Sequence, residues 1–341
     1  MATIAILGAG SWGTALSVHL GRVGHDVRLW ARDSALVTDM ASRRANSVYL
    51  PDVMLPDTLV VTHEIEDAVR AATLVVCAVP SHGCRMVLRH AAPHLSRDVI
   101  VVSATKGLEV DTHLRVSEII AQECGAHRPV VALSGPSFAP EVAQQLPTAV
   151  LAASLETHAT EAVQAEFRGP QFRLYGSDDV IGVEIGGAMK NVIAIAAGVV
   201  EGLGLGHNAL AALITRGLAE ITRLACALGG RRDTLAGLSG LGDLVLTCTG
   251  TLSRNRHVGV ELARGRPLAE VVAGMKMVAE GVRTTGAALA LGERCGVELP
   301  ITEQMAEVLS GRTDVRTAVG ALMVRRQRAE PEPVGPGGHP K

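Results

Sequence analysis

Aromatic side chains are almost missing from this chain, with three Phe, two Tyr and two Trp in 341 residues. Any core must therefore be packed from Leu, Val, Ile and Ala, and an apolar content of 48% is enough for a globular protein of two domains. A basic excess is also missing. The formal net charge is -2, and no basic cluster precedes the tail, which argues against a nucleic-acid partner. The six cysteines, Cys77, Cys84, Cys124, Cys226, Cys248 and Cys295, form no CxxC pair. Buried, reduced thiols in a cytoplasmic protein are expected, rather than disulfides or a zinc site. No charged segment followed by an apolar one opens the chain as a signal peptide would, and the apolar stretch 209–228 is broken by Arg216, Glu220 and Arg223, so no membrane insertion is expected. HExxH and P-loop motifs are absent, the histidines are scattered, and Gly237-Leu238-Ser239-Gly240-Leu241 is one glycine short of a nucleophile elbow. Metal catalysis and serine hydrolysis thus have no sequence support.

What is present begins at Thr3. An apolar, β-branched run, Ile4 to Leu7, leads into Gly8-Ala9-Gly10-Ser11-Trp12-Gly13 and then into helix-like sequence. This is GxGxxG across a strand-to-helix turn. Gly8 allows the turn, Gly10 lets backbone amides approach a pyrophosphate, and Gly13 allows close packing of helix on strand. Apolar runs then recur at 26–30, 74–79, 99–103, 130–133, 148–152 and 172–175, with helical material between them, notably 83–92, 112–124 and 157–167. The alternation predicts an α/β fold, a Rossmann-type doubly wound parallel sheet with ligands at the carboxyl ends of its strands. From about Asp179 the sequence turns to long Ala- and Leu-rich helices, clearest at 186–200, 208–228, 254–263 and 284–291. The expected organisation is a dinucleotide-binding domain over 1–178, an all-α domain over 179–328, and a Pro/Gly-rich disordered tail over 329–341.

Several polar residues stand where such a fold would use them. The second strand ends at Trp30-Ala31-Arg32-Asp33; Arg32 could pair with a 2′-phosphate and favour NADP, while Asp33 keeps NAD open. Lys106 follows an apolar strand and would face the cofactor. Lys190 lies among small and apolar helix residues. Buried there, its pKa would fall, and fall further beside a second cation such as Lys106, making it a general acid/base; the alternative is a lysine whose stem packs while its head reaches water. Asp243 follows the flexible-looking Gly240-Leu241-Gly242. Ser253 is an N-cap candidate for a helix from Arg254, whose start suits a phosphate or is simply a capped, solvated helix end.

Together, GAGSWGTALS, VPSH, SATKGLE, SGPSFAPEVA, GGAMKNVIAIAAG, LITRGLAE, GLGDLVLTC and SRNR closely resemble the bacterial NAD(P)-dependent sn-glycerol-3-phosphate dehydrogenase family, in order from residue 4 to about Thr302. The resemblance implies that Ser11, Trp12, Arg32, Tyr49, Ala139, Val278 and Glu280 touch NAD or NADP. Lys106 would touch both ligands, and Gly135 and Ser137 would hold substrate. Asp243, Ser253, Arg254 and Asn255 would surround the substrate, with Arg254 also reaching the cofactor, and Asn191 and Thr247 would support them. Lys190 would be the proton donor and acceptor in reversible reduction of dihydroxyacetone phosphate, feeding phospholipid synthesis in the cytoplasm. A homodimer stays open. Two other readings are weighed: a β-hydroxyacid dehydrogenase, disfavoured because Lys190 is followed by Asn191 and then Ala194 instead of completing KxxxN, and a dinucleotide-sensing module without catalysis, disfavoured by the intact Lys106, Lys190, Asp243 and Arg254.

Overall fold

A computed structural model describes residues 1–275 and 277–326. The tail expected over 329–341 lies outside the described residues. The first half alternates: β1 (Thr3–Leu7), α1 (Ser11–Arg22), β2 (Asp26–Trp30), α2 (Ser34–Arg43), a hairpin of β3 (Ala45–Asn46) and β4 (Leu50–Met54), β5 (Leu59–Thr62), α3 (Ile65–Val69), β6 (Leu74–Cys77), α4 (Ser81–Ala91), β7 (Ile100–Ser103), α5 (Val116–Cys124), β8 (Val130–Ser134), α6 (Ala139–Ala143), β9 (Thr148–Ala153), α7 (Thr157–Phe167) and β10 (Phe172–Ser177). The second half is helical among the described residues: α8 (Val180–Gly202), α9 (Gly206–Ala227), α10 (Arg232–Ala236), α11 (Asp243–Thr249), α12 (Arg254–Ala263), α13 (Leu268–Ala273), α14 (Glu280–Cys295), α15 (Pro300–Leu309) and α16 (Val315–Met323).

Ile4 to Leu7, Val75 to Cys77 and Val101 to Val102 have no exposed surface, as expected of parallel strands covered by helices on both faces. The eight-stranded sheet has the order β10-β9-β8-β7-β6-β1-β2-β5. Its direction departs from an all-parallel sheet at one place. β9 runs antiparallel to β8, and β10 follows β9 in parallel, because the short α6 leans on α1 instead of crossing the sheet to restore direction. The helix expected from 112 starts only at Val116: His113 has a left-handed φ of 60°, and a bridge between Leu108 and Arg115 closes a turn first. Four cysteines are buried as expected, but Cys226 is exposed.

α8 organises the helical half. Asp179 caps it and also accepts a hydrogen bond from Arg231 N at 2.8 Å. Nearly every residue of α8 is buried, and α12 crosses it at backbone contact, where a Cβ on Gly198 would lie 1.9 Å from the Arg256 carbonyl oxygen. Carboxylates fasten the elements together by sitting on helix starts, where free N–H groups and the helix dipole favour an anion. Glu184 of α8 accepts from Ser117 N and Oγ at 2.7 and 2.6 Å, at the start of α5. Glu280 accepts from Ser81 N and Oγ at 3.1 and 2.6 Å, at the start of α4. Glu220 accepts from Ile301 N and Thr302 N at 2.5 and 3.2 Å, at the start of α15.

Burial raises the Glu220 carboxyl from 4.5 to about 7, against the pull of its amide donors. Between these two values the folded chain keeps a proton that the unfolded chain has released, so this group's contribution to stability falls as pH rises through that window and is flat above it. Thermal unfolding at acidic and mildly alkaline pH should therefore show Glu220→Gln gaining on wild type as pH rises. A constant difference would mean that Glu220 binds the same number of protons in both states.

Candidate active site

The glycine turn is built as its spacing predicts. Gly8 has φ +115°, and a Cβ on Gly13 would lie 1.9 Å from the Gly8 carbonyl oxygen, so α1 can pack this close to β1 only with glycine there. A Cβ on Gly10 would meet nothing within 4 Å, and no side chain caps the start of α1. The Trp12 indole N–H is buried with no partner among the described residues. An open cradle, uncapped amides and an orphaned donor fit the diphosphate of a dinucleotide. Tyr49 reaches this turn through the hairpin. Asn46 donates to Ala9 O at 2.9 Å and to Thr14 Oγ1 at 2.8 Å while accepting from Tyr49 N at 3.1 Å, and Ser11 Oγ donates to Tyr49 O at 2.7 Å. Arg32 is exposed at the end of β2. Asp33 turns away from it as the N-cap of α2, accepting from Ala35 N at 2.9 Å and Leu36 N at 3.3 Å.

Beside the strand ends, three chain segments deliver a buried charge cluster. Lys106 follows β7, Lys190 lies mid-way along α8, and Asp243 opens α11. The glycines before Asp243 form a π-helical turn, Leu238–Gly242, packed against α8, where the sequence suggested a flexible one. Asp243 is 1% exposed, and its two carboxylate oxygens serve different lysines: Lys190 Nζ donates to Oδ1 at 2.5 Å and Lys106 Nζ to Oδ2 at 2.7 Å. Lys190 also donates to Thr247 Oγ1 at 2.8 Å, and Lys106 to Gly135 O at 2.8 Å and Ser137 Oγ at 3.4 Å. Burial lowers the Lys190 ammonium from 10.5; Asp243 raises it, Lys106 lowers it again, and it settles at about 8. Burial opposes the charge of Asp243, but the two ammoniums overcome that and hold its carboxyl below the usual range.

The residues expected around the substrate lie next to this cluster, largely committed to one another. Asn255 donates to Asn191 Oδ1 at 2.9 Å and accepts from Gly281 N at 2.9 Å, while Asn191 donates to Lys106 O at 3.3 Å. Ser253 caps α12 by accepting from Arg256 N, and the exposed Arg254 donates to Val278 O at 3.0 Å. Ala139 starts α6. Glu280 is bound to Ser81, and a Cβ on Gly107 would come within 2.8 Å of that carboxylate. Sequence reasoning missed Ser81 and Asn46, whose partners lie far along the chain; only the placement of Ser81 at a helix start just after a strand hinted at a role.

Comparison with known proteins gives a consistent picture. Family models described as the N-terminus and C-terminus of NAD-dependent glycerol-3-phosphate dehydrogenase match residues 3–160 and 179–320. A glycerol-3-phosphate dehydrogenase [NAD(P)+] of Koribacter versatilis is 54% identical over 277 residues, covering 80% of this chain and 82% of the relative. The crystal structure of glycerol-3-phosphate dehydrogenase from Coxiella burnetii superposes with a TM-score of 0.92 at 41% identity, covering 95% of this chain and 99% of that one. The Saccharomyces cerevisiae enzyme GPD1 gives a TM-score of 0.79 at 27% identity, with 93% and 98% covered.

If Asp243 sustains the Lys190 proton as its position indicates, Asp243→Asn should move the midpoint of Lys190 titration below about 8. The pH dependence of labelling by an amine-reactive reagent, located by mass spectrometry, measures this. An unmoved midpoint would leave burial and Lys106 as its only determinants.

Proposed function

The chain belongs to the NAD-dependent glycerol-3-phosphate dehydrogenase family, and on that premise we propose that it interconverts dihydroxyacetone phosphate and sn-glycerol 3-phosphate with Lys190 as general acid and base. One observation carries the residue assignment: a single buried carboxylate holds two ammoniums side by side, one of them with a pKa of about 8. NAD or NADP, when bound, supplies or accepts the hydride. In reduction, protonated Lys190 gives its proton to the substrate carbonyl oxygen, and the Lys106 ammonium offsets the negative charge growing there. In oxidation, neutral Lys190 removes the hydroxyl proton. Asp243 and Thr247 aim Lys190, while Gly135 and Ser137 aim Lys106. Arg254, with the start of α12, holds the phosphate away from the reacting carbon and supplies orientation.

Division at 178/179 into a dinucleotide-binding and a helical domain is part of this reading, supported by the last strand ending at Ser177 and by Asp179 capping α8. So is work in the cytoplasm on a small phosphorylated substrate, as a homodimer, in support of phospholipid synthesis and without a nucleic-acid or membrane partner. α8 is apolar and long enough to cross a bilayer, yet it is the packed centre of the helical half.

Lys190→Ala should lower turnover by about a hundredfold to ten-thousandfold, with cofactor affinity retained; unchanged turnover would refute the general acid/base role. The reductive rate should fall as pH rises past about 8 and the oxidative rate should climb to a plateau there. Profiles that are flat through this region would assign the proton to another group. Arg254→Ala should raise the apparent KM for dihydroxyacetone phosphate by about tenfold or more, and an unaltered KM would remove the phosphate assignment.

A further inference from the structure

Two thiols that the lysine pair does not use lie against each other where β6 gives way to α4. Cys77 is the last residue of β6, Cys84 stands in the first turn of α4, and their sulfurs are 3.7 Å apart. They are the one pair of cysteines in sulfur contact among the described residues. Thr105 Oγ1 lies 3.5 Å from Cys84 Sγ and donates to Val79 O at 2.7 Å. Both sulfurs are buried, but Thr105 is only half-buried, so the pair sits one side chain below the surface. The hydrogen bond from Cys84 holds the Cys77 thiol below its ordinary value against the opposing effect of burial, while the same bond and burial push Cys84 well above its own. The segment between the two cysteines also supports several parts of the site. A Cβ on Gly8 would lie 2.8 Å from Val79 Cγ1 and 2.9 Å from Ala78 O, so this segment walls the glycine turn. Ser81 is the residue held by Glu280, and Thr105 directly precedes Lys106.

We propose that Cys77 and Cys84 are a redox switch: a hydroperoxide joins them in a reversible disulfide, and the disulfide weakens dinucleotide binding. The effect on binding rests on the dinucleotide reading of the glycine turn; the disulfide itself does not. The Cys77 thiolate attacks one peroxide oxygen, the O–O bond breaks, and a sulfenic acid forms while the other oxygen leaves with the proton that Cys77 gave up. The Cys84 sulfur then attacks the Cys77 sulfur, the S–O bond breaks, and water leaves with the Cys84 proton. The two sulfurs lose two electrons in all, and the peroxide gains them. Bond formation draws the sulfurs inside their present contact distance, and the linking segment that must take up the movement has no slack against Gly8. In a reducing compartment such a bond is transient, as redox-sensing disulfides are.

The full chain is treated with hydrogen peroxide, quenched with catalase, and divided between alkylation for mass spectrometry and calorimetric titration with NADH and NADPH, with and without dithiothreitol. Wild type should yield a peptide spanning Cys77 and Cys84 that is lighter by two hydrogens and resists alkylation. Its dinucleotide affinity should fall by about tenfold or more and return with dithiothreitol, a recovery that separates this loss from methionine oxidation. Cys84→Ala should show the same affinity before and after peroxide. Free, alkylatable Cys77 and Cys84 under peroxide that oxidises the exposed Cys226 would overturn the proposal. So would a disulfide that leaves affinity unchanged, or an equal loss of affinity in Cys84→Ala. Reduced wild type that binds neither dinucleotide would overturn the dinucleotide reading and the effect on binding with it, and is told apart because it fails before any oxidant is added.

Discussion

Asp243 is the point on which this molecule turns. A buried carboxylate carries a desolvation cost that only close, well-directed partners offset, and here the partners are two lysines from opposite halves of the chain. Lys106 arrives on a loop after a parallel strand, Lys190 on a helix of the second half, and Asp243 on a third segment. Removing Asp243 would leave two neighbouring ammoniums without a counter-charge. The sheet and the helices must therefore meet in register at this spot, and the charges to which we assign the chemistry also hold the two halves together.

The carboxylates at helix starts extend the same logic outward. Glu184 and Glu280 cross from the helical half to α5 and α4, and Glu280 lies beside Gly107, the neighbour of Lys106. Each meets a helix end whose free amides would otherwise need water, so the interface between the halves is polar and directional. This explains how a chain with so few aromatic residues holds its cleft in shape. Aliphatic packing gives bulk cohesion, while orientation comes from hydrogen bonds with defined geometry.

The sequence made much of this legible, for identifiable reasons. Continuous apolar runs marked the central strands because both faces of a parallel sheet are buried, and GxGxxG marked the turn because its glycines answer to local steric limits. Periodicity did not reveal the reversal at β9, which depends on where the short α6 rests, nor the hairpin of β3 and β4, whose brief strands carry little pattern. Lys106, Lys190 and Asp243 could be named one by one. That one carboxylate serves both lysines could not be, because pairings across 53 and 137 positions leave no trace in spacing. The duty of Asp33 as a cap was likewise hidden beside its more suggestive neighbour Arg32.

α8 concentrates these demands on one rod. Along it come Asp179 at the cap, Glu184 for α5, Lys190 and Asn191 for the site, and Gly198 for the crossing with α12. Successive residues of a helix are turned by about 100°. A single inserted or deleted codon within it would swing everything downstream onto the wrong side. Change in this family member can therefore accumulate by substitution along α8, and by length in the surface loops, but the residue count of this helix is frozen.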